Sequence, residues 1–157
     1  MTSKYIVTSM GFDIIARRIG GINQVIPQEI ALGTGTTEPT EDDAQLENEI
    51  VRAMISSRWR TGYNAYFKAT FTNSEKAGDY TFTEAGLFNL DYSWRPLNSK
   101  LFIPNVTSDL SGTIDINYTK SSLSGTFEIH RMMARATFPA VQKFDGVDKD
   151  IIWVIRL

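Results

Sequence analysis

The sequence predicts a mainly β protein, an antiparallel β-sandwich with short N-terminal helices and an inserted β-hairpin extension. Three observations predict it. Beyond Glu49 the apolar residues recur at every second position, the period of a half-buried strand. Gly, Asn, Asp and Ser punctuate these runs at turn-like intervals. Helix-like spacing, in contrast, is confined to the N-terminal third. At 157 residues, with 42% hydrophobic and 22% charged side chains, the chain suits one globular domain with a single core, neither disordered nor membrane-inserted.

The first element reads as a short helix. Thr8 or Ser9 is its N-cap, Phe12, Ile15 and Ile19 share a face, and Gly20-Gly21 stops it. Arg17 and Arg18 fall in the last turn, where the helix dipole favours cations. A strand from Ile26 to Leu32 runs into the loop Gly33-Thr-Gly-Thr-Thr-Glu-Pro39, read as a turn in which glycines supply positive φ and proline a rigid helix entry. Thr40 then caps an acidic helix from Glu41 to Glu49.

The best strand is Tyr63 to Thr72, with Tyr63, Ala65, Phe67, Ala69 and Phe71 on one face. Residues 73–79 form a turn, and Tyr80 to Asn89 is expected to be the partner strand, with Gly86 marking a bulge or a close backbone approach. Residues 91–131 differ in character: Ser, Asn, Thr and Gly dominate, and Tyr92, Trp94, Phe102, Tyr118 and Phe127 are scattered among them. A hairpin of 113–118 against 125–129 is expected there. Phe127 and Ile129 are odd-numbered, whereas Met132, Ala134, Ala136 and Phe138 are even, so the strand must change face near His130-Arg131 through a bulge or a break. The closing run Asp150 to Leu157 is apolar on both faces, which requires either a central position or a partner subunit.

The search for chemistry excludes more than it finds. A phosphate loop needs G-x-x-x-x-G-K-[ST] or G-x-G-x-x-G, and the loop after Gly33 has neither the lysine nor the third glycine. With no cysteine there is no disulfide, thiolate site or cysteine nucleophile. The single histidine, His130, is read as a surface or turn residue. Asp145, Asp148 and Asp150 resemble part of a calcium loop, but Lys149 interrupts them and they are read as a solvated turn. Nothing singles out a carboxylate pair among the 18 acids. Catalytic, metal-binding and cofactor residues are therefore assigned nowhere. Residues 38–49 carry six acids and no base, and 50–71 four bases and no acid, a pattern of mutual complement rather than a nucleic-acid footprint. The apolar runs are shorter than the about 20 residues that span a bilayer, and the start has no signal-peptide core, so synthesis in a cytoplasm is expected. The N-glycosylation patterns at Asn105 and Asn117 would then go unused.

Five segments, in order, resemble small virion proteins of tailed bacteriophages, described as tail, tail-fibre or collar-region proteins. They are Ile30-Ala-Leu-Gly-Thr-Gly-Thr-Thr-Glu-Pro39, Asp43-Ala-Gln-Leu-Glu-Asn-Glu49, Glu84-Ala-Gly-Leu-Phe88, Met132-Met-Ala-Arg-Ala-Thr-Phe138 and Ile151-Ile-Trp-Val-Ile155. Similar proteins join the third and fourth segments by a short turn, so residues 91–131 are the departure. The resemblance implies a non-enzymatic oligomeric building block, made in the host cytoplasm and resident in the virion. Its partners would be further copies of itself and other virion proteins, with no nucleic acid, membrane or cofactor, and its station the tail, collar or baseplate. Alternatives are a capsid decoration or head-fibre protein, and a receptor- or glycan-binding module in which Tyr92, Trp94 and Tyr118 form a stacking platform. Candidate interface residues are Ile152, Val154, Tyr92, Trp94, Phe102 and Tyr118.

Overall fold

The computed structural model describes residues 2–21, 26–93 and 127–156. These residues form a mainly β structure with one helix. The elements are β1 (Lys4–Val7), α1 (Ser9–Ile19), β2 (Pro27–Gly33), β3 (Glu49–Thr61), β4 (Asn64–Phe71), β5 (Tyr80–Ser93), β6 (Phe127–Lys143) and β7 (Lys149–Arg156). All seven strands belong to one antiparallel sheet, in the order β1-β6-β5-β2-β3-β4-β7, which curls as a half-barrel. The expected class is therefore what the chain adopts, with one sheet curling around its core where two facing sheets were pictured.

Curling closes one face of the sheet on itself. Ile30 and Leu32 of β2, Val51, Ala53 and Ile55 of β3, Ala69 and Phe71 of β4, and Phe82, Ala85 and Leu87 of β5 form a single buried cluster on this inner face. Phe67 and the β7 residues Ile151, Trp153 and Ile155 pack against it. The period of two in β4 accounts for this, since every second side chain of a pleated strand points the same way. Tyr63, expected on the same face, lies in the turn before β4 and is exposed.

Strand neighbours depart from sequence order. β5 was expected to pair with β4, yet it lies between β2 and β6, while β4 lies between β3 and β7. The turn at 73–79 is thus a crossing between two parts of the sheet. Lys143 ties it down: its buried ammonium donates to Asn73 Oδ1 (2.8 Å) and to the Phe144 carbonyl (3.1 Å). Of the turn expected around Asp145, Asp148 and Asp150, the part at Gly146 forms with φ 69° and Asp145 accepts hydrogen bonds there from Asn73 and Gly78, whereas Asp150 already lies in β7 and pairs with Lys68.

The face change in β6 occurs as a bulge. β6 is unbroken, but Leu87 pairs with Ala134 and Phe88 with Met132, leaving Met133 as the extra residue, two positions beyond the expected site. The bulge also seats the helix. Thr8, the N-cap, accepts from the Gly11 amide (3.0 Å) and donates to the Met132 carbonyl (2.6 Å), while the Thr8 amide donates to the Met133 carbonyl (3.0 Å). Gly11 allows this approach, since a Cβ there would collide with the Met133 carbonyl.

Two helical expectations are corrected. In α1 the buried residues are Gly11 and Ile14, whereas Phe12 and Ile19 are exposed, because the helix touches the sheet mainly through its N-terminal turns. The segment 41–48 is an irregular loop, not an acidic helix, because its carboxylates are bound by groups outside the segment, as described below. The short β1 lies on the edge beside β6, where the sequence pattern predicts no strand. β5 and β6 remain paired as far as Ser93 with Phe127, so residues 94–126 join the ends of adjacent strands. The expected hairpin of 113–118 lies outside the described residues.

Replacing Thr8 by Val removes the cap and strands two buried polar groups. The unfolding free energy in urea should fall by about 1–2 kcal/mol. Phe12→Ser, on the exposed side of the helix, should change it by no more than about 0.5 kcal/mol.

Candidate functional site

Four of the motif segments converge on the outer face of β2, β5 and β6. Glu84 on β5 is fully buried and its carboxylate is saturated with donors. Oε1 accepts from the amides of Gly35 (2.9 Å) and Asn48 (2.8 Å), and Oε2 from the amide of Glu47 (3.1 Å). Arg135 on β6 completes the set, with Nε 3.0 Å and Nη2 2.9 Å from Glu84 Oε2. The register of β5 and β6 makes them neighbours, since Gly86 lies opposite Arg135 and Glu84 opposite Thr137.

Arg135 continues the network into the loop. Its Nη1 donates to Asp43 Oδ2 (2.8 Å), and its Nη2 to Thr37 Oγ1 (3.2 Å). The Thr37 hydroxyl in turn donates to Glu47 Oε2 (2.9 Å), which also accepts from the amides of Thr36 (2.8 Å) and Thr37 (3.0 Å). Asp43 accepts from the amide and hydroxyl of Thr40 (3.0 and 2.9 Å). The acids that looked like a helix start thus bind amides of the preceding Gly-Thr loop. A carboxylate satisfied in this way has no reason to favour helix in its own backbone.

The glycines of the loop also serve another purpose than the one expected. Neither Gly33 nor Gly35 has positive φ. Both are required by close approach: a Cβ on Gly35 would lie 2.5 Å from Glu47 Cβ and 2.6 Å from Glu84 Cδ, and one on Gly33 2.5 Å from the Asn48 carbonyl and closer still to Glu84. Gly86 acts likewise, its missing side chain leaving room for Phe88 and Leu46. Leu46, Phe88, Ala31 and Met132 form a second small core beneath the loop.

A second charged cluster adjoins it. Arg52 donates to Glu49 through Nε (2.9 Å) and Nη2 (2.7 Å), and to Glu29 Oε2 through Nη1 (2.8 Å), while its guanidinium lies 4.1 Å from the centroid of the Phe88 ring. His130, expected as a surface or turn residue, is a strand residue with Nδ1 2.6 Å from the same Glu29 oxygen. Glu49 and Arg52 are the one ion pair among the described residues between the acidic 38–49 and basic 50–71 stretches, whereas Glu38 pairs with Lys4, Asp43 and Glu47 with Arg135, and Lys68 with Asp150.

Electrostatics follow the contacts. Partial burial pushes the Asp43 carboxyl up, but hydrogen bonds from Arg135 and Thr40 outweigh it and hold it below its ordinary value. For Glu47 the Thr37 amide and hydroxyl and the Thr36 amide hold the carboxyl down. Burial lowers Arg135, yet Asp43 and Glu84 more than compensate and raise it. Chemically the arrangement is a lock. The acceptor sites of Glu84 are occupied by backbone amides and Arg135, so the residues that carry the sequence motifs are spent on holding the loop to the sheet.

The candidate interface residues fall elsewhere. Ile152 and Val154 lie on the outer face of β7 and are 50% and 37% exposed. β7 is an edge strand, paired only with β4, so the central position considered for it is ruled out among the described residues. Val154 is opposite Tyr66 on β4, which is opposite Trp59 on β3, and the two rings stack at 5.1 Å with planes 4° apart. This row of exposed or half-exposed apolar groups was only partly foreseen, since the sequence pointed to β7 but not to Trp59 or Tyr66. Tyr92 lies in β5 opposite Glu128, and Trp94, Phe102 and Tyr118 lie outside the described residues. Among the described residues no cluster of His, Asp and Glu could hold a metal ion, and no helix is long and apolar enough to cross a membrane.

No protein-family model matches the chain, and neither a curated protein nor a solved structure matches it.

Two outcomes test the lock. Arg135→Met leaves Glu84 buried without its cation and should cost about 3–5 kcal/mol in urea unfolding, and Gly35→Ala about 1–3 kcal/mol from overpacking. In acid, Asp43 and Glu47 resist protonation in the folded state below their ordinary values of 3.8 and 4.5. The unfolded chain then binds more protons, so their stabilisation is complete above about pH 5 and is lost as pH falls through the lowered folded values. The urea midpoint of Asp43→Asn,Glu47→Gln should therefore depend less on pH between 5 and about 2.5 than that of the parent chain.

Proposed function

We propose that this chain is a non-enzymatic structural protein of a tailed bacteriophage particle, an oligomeric component of the tail, collar or baseplate that anchors or connects other virion proteins. The observation that carries this reading is the uncovered half of the sheet. The loop 34–48 and α1 cover the outer face of β2, β5 and β6, whereas Trp59, Tyr66, Ile152 and Val154 stand on the outer face of β3, β4 and β7, beside a strand edge that no other described strand pairs with. Such a surface is a liability on a solitary protein and an asset on a subunit.

The lock adds support of a different kind. Four of the five motifs behind the phage resemblance fasten the loop to the sheet, which supports a rigid scaffold rather than a reacting centre. A part held in place by many repeated contacts needs only modest affinity at each one.

The test is compositional. Purified particles should contain this chain in a fixed multiple copy number, and an antibody against it should label the tail, collar or baseplate by electron microscopy. Label on the capsid surface would replace this station with that of a decoration protein. Absence of the chain from purified particles would end the virion reading.

A further inference from the structure

We infer that β7 is a self-recognition strand: two copies of this chain pair antiparallel along β7 about a two-fold axis passing beside Trp153, joining their sheets into one. The inference rests on the self-association half of the reading above and identifies its contact surface. It requires nothing of the virion.

Among the described residues the edge is open and unguarded. Among the described residues β7 is bonded only to β4, along its whole length from Lys149 to Arg156. Natural sheets blunt such edges with prolines, bulges, short strands or charges in mid-strand. β1, at the opposite edge, is short, and its Lys4 pairs with Glu38 at 2.6 Å. β7 has none of these devices between Ile151 and Ile155.

The occupant is specified by the sequence of the strand, which is complementary to its own reverse. With Trp153 facing Trp153 of a second copy, Ile151 lies opposite Ile155, Ile152 opposite Val154 and Asp150 opposite Arg156, each pair occurring twice. The outward side chains, Asp150, Ile152, Val154 and Arg156, are the exposed ones. In this register they form two aliphatic pairs flanked by two opposite-charge pairs, the combination that stabilises cross-strand neighbours. Asp150 is fixed in position for this, held by Lys68 (2.6 Å) and Thr70 (2.7 Å) of β4. Other registers lose the match. A one-residue slip turns the outer face of one copy into the inner face of the other. A two-residue slip sets Asp150 against Val154, or Arg156 against Ile152. A two-fold axis uses the same patch on both subunits, so self-complementarity is the signature expected of a second copy and is not required by a different partner. The stacked Trp59 and Tyr66, next to Val154 on the same outer face, extend the apolar surface beside the seam.

The experiment uses the whole chain and its charge-reversed variants, with mass measured by light scattering after size exclusion and folding checked by thermal melts. The parent chain should be a dimer or a larger assembly with an even number of chains. Asp150→Arg and Arg156→Asp each set like charges opposite one another at two places, and each should weaken self-association roughly tenfold or more. An equimolar mixture of the two should recover it, since every cross-seam pair is then opposite in charge, and so should the double variant. Val154→Lys should abolish it. Should a charge variant fail to fold, cross-linking gives the same answer in a cysteine-free chain: an oxidised mixture of Ile152→Cys and Val154→Cys should yield a covalent dimer and neither variant alone. A monomeric parent chain, an oligomer indifferent to Val154→Lys, or charge variants whose mixture gains nothing would each overturn β7 pairing. Particle composition is a separate readout, so chain found in virions with β7 variants that still assemble would sink this inference and leave the virion reading standing.

Discussion

The buried pair of Glu84 and Arg135 is the constraint on which the rest of the structure depends. A carboxylate removed from water requires several donors, and these come from the Gly35, Glu47 and Asn48 amides together with the guanidinium. Satisfying that single group forces the 34–48 loop to return over the sheet and closely approach Glu84. The glycines at 33 and 35 follow from the lack of space, and Asp43 and Glu47 from the need to balance Arg135 and bind the loop amides. With the loop in place Leu46 covers Gly86 and Phe88, and the Glu41 carbonyl receives the Ser9 amide at the start of α1 (2.7 Å). A polar interaction thus organises one side of a sheet whose other side is ordinary hydrophobic core.

That division gives the sheet two unlike halves. Around β2 and the middle of β5 and β6 both faces are covered, and covering the second face consumes the N-terminal helix and the Gly-Thr loop. Around the far ends of β3, β4 and β7 only the inner face is packed, by Phe67, Ile151, Trp153 and Ile155. The covering elements are bound to the first half by the helix cap and the ion-paired lock, and no other described element spreads across the second. Function, in the reading proposed here, follows from this asymmetry: one half maintains the shape and the other offers a surface.

Much of this was legible in the chain. The alternation in β4 gives its buried face because pleat geometry admits no other arrangement, and the odd-to-even switch before Met132 locates a bulge to within two residues for the same reason. The run Asp150 to Arg156 announces an apolar strand. Hidden from view were the partners. The acidic stretch reads as a helix start because local rules see only local donors, whereas Asp43 and Glu47 accept from Arg135 and from loop amides. The helix face was misassigned because Gly11, which contributes only its absence of a side chain, was the residue in contact. Trp59 and Tyr66 meet through the register of β3 and β4, which no spacing within either strand encodes.

The sequence by itself determined a single mainly β chain without cysteine chemistry, the location of most of its strands, and a closing strand too apolar for solvent on both faces. Composition and period two are enough for that, since burial of alternate side chains is a local property of an extended backbone. Only the tertiary structure decided that this strand lies at an edge, that distant motifs share one buried carboxylate, and that no other described element covers half of the outer face. Each of these depends on which strands become neighbours, and strand order is settled by the global competition to close the core and satisfy Glu84.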